Sequence, residues 1–133
     1  MGPKHGEVCW SELNTHDAAG AKTFYKELFG WDYTESKDGM PYTEIKLAGA
    51  DRPFGGIFNL PDEMANVPPF WMTYVTVDDC DASTKKVEEL GGKVHRPPTD
   101  IPGVGRFSIV ADPSGAVLSL IKLSMSGDHA DKA

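Results

Sequence analysis

Two fourteen-residue stretches of the chain echo each other: DAAGAKTFYKELFG, from Asp17 to Gly30, and DCDASTKKVEELGG, from Asp79 to Gly92. Asp17 and Asp79, Leu28 and Leu90, and Gly30 and Gly92 each stand 62 positions apart. Aspartate accepts hydrogen bonds from the free amides of a first helical turn. Glycine supplies the left-handed residue that commonly follows a last turn. Between these punctuation marks Ala18, Ala21, Phe24, Tyr25 and Leu28 recur at three- and four-residue steps, the spacing of an amphipathic helix. The second copy keeps Ser83, Val87 and Leu90 on that stripe.

The offset of 62 carries on outside the helices. WSELNTHD (10–17) lies over MTYVTVDD (72–79), YTEIKLAGA (42–50) over VGRFSIVAD (104–112), and FGGIFNL (54–60) over AVLSLIK (116–122). Each half therefore reads as a strand, a helix and three further strands. Turns are expected at Lys37-Asp38-Gly39, Asp51-Arg52-Pro53, Pro102-Gly103 and Asp112-Pro113-Ser114-Gly115. The segment PDEMANVPP (61–69) has no periodicity and three prolines, which marks it as the linker. The expected modules are residues 5–62 and 68–123, with a polar, disordered tail over 124–133. A half of about 60 residues buries too little to stand alone, so the two are expected to share one domain.

With 40% hydrophobic residues in 133, the chain can fill one core. A net charge of −7 argues against nucleic acid, whose phosphates need a basic face. No apolar run approaches the roughly 18 residues of a membrane span. The opening MGPKHGEVCW lacks a secretory apolar stretch, and Cys9 and Cys80 belong to no metal-binding spacing. A reduced, cytoplasmic protein is expected.

ELNTHDAAGAKTFYKELFGW, PPFWMTYVTVDDCDA and GRFSIVADPSGAVLSLIK together resemble the vicinal oxygen chelate superfamily, also called the glyoxalase/bleomycin-resistance/dioxygenase superfamily. The resemblance covers residues 5–123. It implies an α+β fold of two tandem βαβββ modules, with sheets curling round a shared cavity and helices outside. It also implies a divalent metal in many members, held by His, Gln or Glu from the first and last strand of each module. Carried over by local motif, those positions fall on Trp10, Ile57, Met72 and Ser119, none of which suits such a metal. No metal and no cofactor are therefore expected.

Strand alternation then assigns the faces. Cys9, Leu13, Ile45, Leu47, Phe58, Val75, Val77, Phe107, Ile109, Leu118 and Leu120 are expected against the helices. The ligand pocket is expected to hold Trp10, Glu12, Tyr42, Glu44, Ile57, Asn59, Met72, Tyr74, Arg106, Ser108 and Ser119. Arg106 and Glu44 occupy equivalent repeat positions and are candidates for an ion pair. Glu12, beside Trp10 and apolar neighbours, is the candidate catalytic base, since burial raises a carboxyl's pKa toward working pH. The histidines lack ligand spacing and read as solvated surface residues.

Two function classes follow. One is a metal-independent binding protein for a small organic ligand. The other is a lyase, isomerase or oxygenase using Glu12 as base or a metal site elsewhere. An interaction module with a vestigial cavity is the blander alternative to both. The apolar WMTYV strand, read as a bare edge, points to a homodimer.

Overall fold

The computed structural model describes residues 2–35 and 42–124. Lys37-Asp38-Gly39 and residues 125–133 of the tail lie outside them. The elements run β1 (Val8–Thr15), α1 (Ala18–Phe29), β2 (Asp32–Glu35), β3 (Thr43–Lys46), β4 (Gly55–Asn59), a 3-10 turn (Asp62–Met64), β5 (Phe70–Thr76), α2 (Cys80–Glu89), β6 (Lys93–Ile101), β7 (Gly105–Ala111) and β8 (Val117–Leu123). This is the mixed α+β, twice-repeated βαβββ order expected from the sequence.

The chain divides into two compact units, one of Trp10–Met72 and the other of Thr73–Ala133 with Met1–Cys9. Residues 5–9 thus pack with the second unit. Gly6 N–H donates to Thr76 O at 2.7 Å and Thr76 N–H to Glu7 O at 2.8 Å. β5 also pairs in parallel with β8. It is therefore not the bare edge that the WMTYV reading required.

In the first unit β1 and β4 run parallel, and β3 pairs antiparallel with both β4 and β2. Leu13, Ile57 and Ile45 form its core, with Ala18, Ala21 and Tyr25 of α1 packed against them. Asp17 opens α1, its Oδ1 accepting from Gly20 N–H at 2.9 Å, and Gly30 closes it at φ +76. In the second unit β8 lies between β5 and β7, and β7 pairs with β6. Val77, Cys80, Val110 and Leu120 form its core, flanked by Val87 of α2. Asp79 caps α2 through Ala82 N–H at 3.0 Å. α2 ends before the expected Gly92: Leu90 is the cap residue, and Gly91, at φ +93, takes the left-handed place.

The uniform offset of 62 fails in the later strands. Glu12 pairs with Gly56 and Gly56 with Glu44, whereas Tyr74 pairs with Ser119 and Ser119 with Ile109. First strands correspond at an offset of 62, fourth strands at 63 (Gly56 to Ser119) and third strands at 65 (Glu44 to Ile109). One-residue slips in a strand exchange its faces, and four site assignments change for that reason.

Candidate functional site

Ile57 was expected to face away from α1. Its register beside Leu13 and Thr43 instead puts it in the α1-facing core, 2% exposed. Asn59 lies on the same side, and its Oδ1 accepts from Ala18 N–H at 3.0 Å, so it secures the start of α1. Phe58, expected in the core, takes the opposite face.

Ser108 and Arg106 are corrected likewise. Ser108 pairs with the core residue Leu120 and is fully buried on the α2 side, where its Oγ lies 2.7 Å from Thr84 Oγ1 of α2. Arg106 also turns to that side. Its Nε donates to Asp81 of α2 at 3.0 Å and its Nη1 to Asp100 of β6 at 2.9 Å. The expected Glu44–Arg106 ion pair gives way to these two partners, which hold the guanidinium's pKa above its ordinary value, Asp100 contributing most. Phe107 and Ile109, expected against α2, occupy the opposite face with Ser119 and Tyr74. Leu47 is exposed and lies beyond β3.

Trp10, Glu12, Tyr42 and Glu44 do share one face of the first unit's sheet, opposite Leu13, Ile45 and Ile57. They are linked there. Trp10 Nε1–H donates to the Tyr42 hydroxyl oxygen at 3.0 Å, and the Tyr42 hydroxyl donates to Glu12 Oε2 at 2.9 Å. All three residues are half-buried.

Gly56 makes this relay possible. Tyr42 must reach across β4 to meet a carboxylate on β1. A Cβ on Gly56 would fall on the Tyr42 phenol. The glycine is therefore the floor on which the ring lies, and its role follows from close approach rather than from backbone conformation. Glu44 lies on the far side of Gly56, two strands from Glu12. At ordinary strand spacing that is roughly 9–10 Å between main chains. The face thus combines two carboxylates, a phenol and an indole, with one phenolic proton already committed to Glu12.

The second unit's corresponding face is apolar. Tyr74, Ser119, Ile109 and Phe107 lie on it, with the Tyr74 and Phe107 ring centroids 6.5 Å apart. Met72, two positions before Tyr74 on β5, shares its side of that strand and is buried. Thr76 adjoins the Cys9 thiol. Burial pushes that thiol up from its ordinary pKa, and Thr76 offsets part of the rise.

The superfamily's metal does not fit the donor set. The positions carried over present an indole, a thioether and a hydroxyl, and the fourth, Ile57, lies in the α1 core. Among the described residues no group of three His, Cys, Asp or Glu side chains could hold a metal ion. His5 and His16 are engaged structurally. His5 Nδ1 accepts from Asp78 N–H at 3.0 Å, and His16 Nε2–H donates to Val67 O at 2.7 Å.

No described helix is long and apolar enough to cross a membrane. A second feature lay outside the sequence reading. Tyr25, Phe29, Trp31, Phe54 and Trp71 form a chain of ring contacts with centroids 4.9–6.4 Å apart. Phe24, Leu28, Phe29 and Trp71 remain exposed at its rim. Sequence spacing on α1 marked the apolar stripe but not that part of it would stay uncovered.

Comparison with known proteins agrees with this architecture. Residues 8–120 match the family model described as Glyoxalase/Bleomycin resistance protein/Dioxygenase superfamily. "Putative glyoxylase CFP32" of Mycobacterium bovis is 38% identical over 119 residues, which are 88% of this chain and 44% of that protein. "Anthracycline biosynthesis protein DnrV" of Streptomyces peucetius is 32% identical over 127 residues, covering 86% of this chain and 46% of that one. The chain thus spans less than half the length of these two relatives. The crystal structure of methylmalonyl-CoA epimerase from Mycobacterium tuberculosis superposes with a TM-score of 0.64 at 14% identity, covering 100% of this chain and 97% of the epimerase, which shows a shared fold. Repeat order, sheet pairing and the match over residues 8–120 together place the chain in the glyoxalase/bleomycin-resistance protein/dioxygenase superfamily.

Proposed function

We propose that the chain binds a small, planar organic ligand on the face carrying Trp10, Tyr42 and Glu12. The observation that carries this reading is the hydrogen-bonded relay across Gly56. An indole and a phenol offer flat apolar area, and Glu12 offers an acceptor to a ligand hydroxyl or amine. Binding sites of this kind are mostly apolar with a few placed polar groups. No metal enters the reading, because the residues at the carried-over positions do not suit one. The name of the Streptomyces peucetius relative, an anthracycline biosynthesis protein, suggests a hydroxylated polycyclic probe.

The test is titration with an anthracycline aglycone, followed by tryptophan fluorescence. Saturable quenching is expected, and Trp10→Phe should remove most of the response. Tyr42→Phe and Glu12→Gln should each weaken the complex by about tenfold, the value of one charge-assisted hydrogen bond, about 1.4 kcal/mol. Affinity that is indifferent to both changes would exclude the relay from the site.

A second reading is lyase or isomerase chemistry with Glu12 as base. It is favoured by Tyr42, which fixes one carboxylate oxygen, and by Glu44 on the same face. Solvent deuterium should then enter an acidic C–H position of a bound ligand, and Glu12→Gln should stop it. The chain is also proposed to form a homodimer, supported by the exposed Phe24, Leu28, Phe29 and Trp71.

A further inference from the structure

Residues 4–7 form a short arm folded onto the second unit. Glu7 N–H donates to Lys4 O at 2.9 Å, closing a turn in which Gly6, at φ +89, takes the left-handed place. Gly6 and Glu7 both bond the main chain of Thr76 on β5. The turn sets the His5 ring against the connection between β5 and α2, where Asp78 N–H donates to Nδ1 at 3.0 Å. A main-chain amide can only donate, so Nδ1 carries a lone pair and the ring is neutral, with its proton on Nε2. A protonated imidazole has no acceptor. Once the ring is charged this contact is lost, because two N–H groups would meet. The Asp78 carboxylate suits the charged form, with its Oδ2 3.7 Å from the same Nδ1. One residue therefore offers both partners: a donor to the neutral ring and an acceptor to the charged one.

We propose that His5 is a proton-operated latch on this arm. Neutral, it grips the Asp78 main chain. Charged, it releases that amide and turns to the Asp78 carboxylate. The other charged side chains on the segments that meet here are Lys4 and Glu7 of the arm, Asp79 of the connection and Asp81 of α2. Glu7 Oε1 accepts from Lys4 N–H at 3.0 Å, Asp79 Oδ1 from Ala82 N–H at 3.0 Å, and Asp81 Oδ1 from Arg106 Nε at 3.0 Å. Asp78 is thus the carboxylate placed for His5. Histidine changes charge between about pH 5 and 8, above the range in which a carboxylate takes up a proton, so Asp78 is still an anion when the exchange occurs. The His5 side chain is 56% exposed, which lets the ring turn without disturbing the core. The latch is independent of the relay in the first unit.

Nitrogen–proton correlation spectra of the full chain, recorded from about pH 8 down to about pH 5, read the exchange directly. The Asp78 amide proton should move upfield as the pH falls, with the same midpoint as the His5 ring. Its exchange with solvent, corrected for the intrinsic dependence on pH, should quicken by about tenfold, the loss of one hydrogen bond. His5→Asn puts a carbonyl oxygen close to the Nδ1 position at every pH, so there the Asp78 amide should hold its place. Asp78→Asn keeps the amide and removes the carboxylate, so the midpoint should move to lower pH because the charged ring has lost its partner. The proposal is overturned by an Asp78 amide that stays still while His5 titrates, by a movement that persists in His5→Asn, or by a midpoint unchanged in Asp78→Asn.

Discussion

Gly56 is constrained by the Tyr42 ring seated against it. An alanine there must displace the Tyr42 phenol, a side chain able to swing aside. At Gly55 the added methyl would meet the main-chain oxygen of Ser11, which cannot move without breaking the β1–β4 ladder. Gly56→Ala should therefore cost about 1–3 kcal/mol and disrupt the relay, and Gly55→Ala should cost more. Denaturant unfolding of both variants checks the order; equal costs would mean that Tyr42 is not seated on Gly56. At this scale the sequence was informative for Trp10, Glu12, Tyr42 and Glu44, whose strands alternate clearly. It was ambiguous for Ile57 and Phe58. After two glycines, adjacent apolar residues give no alternation to follow, and only the pairing of Ile57 with Leu13 decides which one faces α1.

Helix starts were legible because capping is local chemistry. Asp17 and Asp79 each bind an amide three residues on, whatever the rest of the chain does. The faces of β7 were not legible. Its apolar Phe107 and Ile109 suggested the helix side, yet they lie half-buried on the opposite side while Ser108 and Val110 take the α2 side, and a strand with apolar residues on both sides does not alternate cleanly. Ser108 is accommodated in the α2 core by Thr84, a contact 24 residues distant that spacing alone does not reveal. The β7–β8 turn carries a pH prediction. Ser114, then the Ala116 amide, hold the Asp112 carboxyl below its ordinary value of 3.8. A depressed native pKa adds stability that is complete above the unfolded value and is lost as pH falls through the native one. Asp112→Asn should therefore be less stable than the parent near neutrality, and the gap should close below pH 3.8. Equilibrium unfolding across that range reads it; a gap that widens toward acid would contradict the turn's role.

Across the whole molecule, the repeat order was readable because two helices with matching caps survive as a pair. The divergence of the repeats was not, because offsets of 63 and 65 depend on strand register. The consequence is a difference in chemistry: one sheet face carries carboxylates and a phenol, and its counterpart carries rings and a hydroxyl. α1 has no buried residue and leaves Phe24, Leu28 and Phe29 exposed. Light scattering at micromolar concentration should give about twice the chain mass of 14.5 kDa, and Phe24→Glu with Phe29→Glu should return it to the single-chain value. A monomeric parent would remove the dimer from the proposed function.

The relay itself is open to direct observation. The chain has three tryptophans, and their indole N–H signals are resolved by nitrogen–proton correlation spectroscopy. Trp10 donates to Tyr42, whereas Trp31 and Trp71 belong to the ring cluster near α1. Trp10→Phe identifies the first signal. On titration with the anthracycline aglycone, that signal should move and saturate with the fluorescence change, while those of Trp31 and Trp71 stay in place. Saturating shifts confined to Trp31 and Trp71, with Trp10 silent, would put the ligand on the α1 aromatic surface and contradict a binding site built on Trp10, Tyr42 and Glu12.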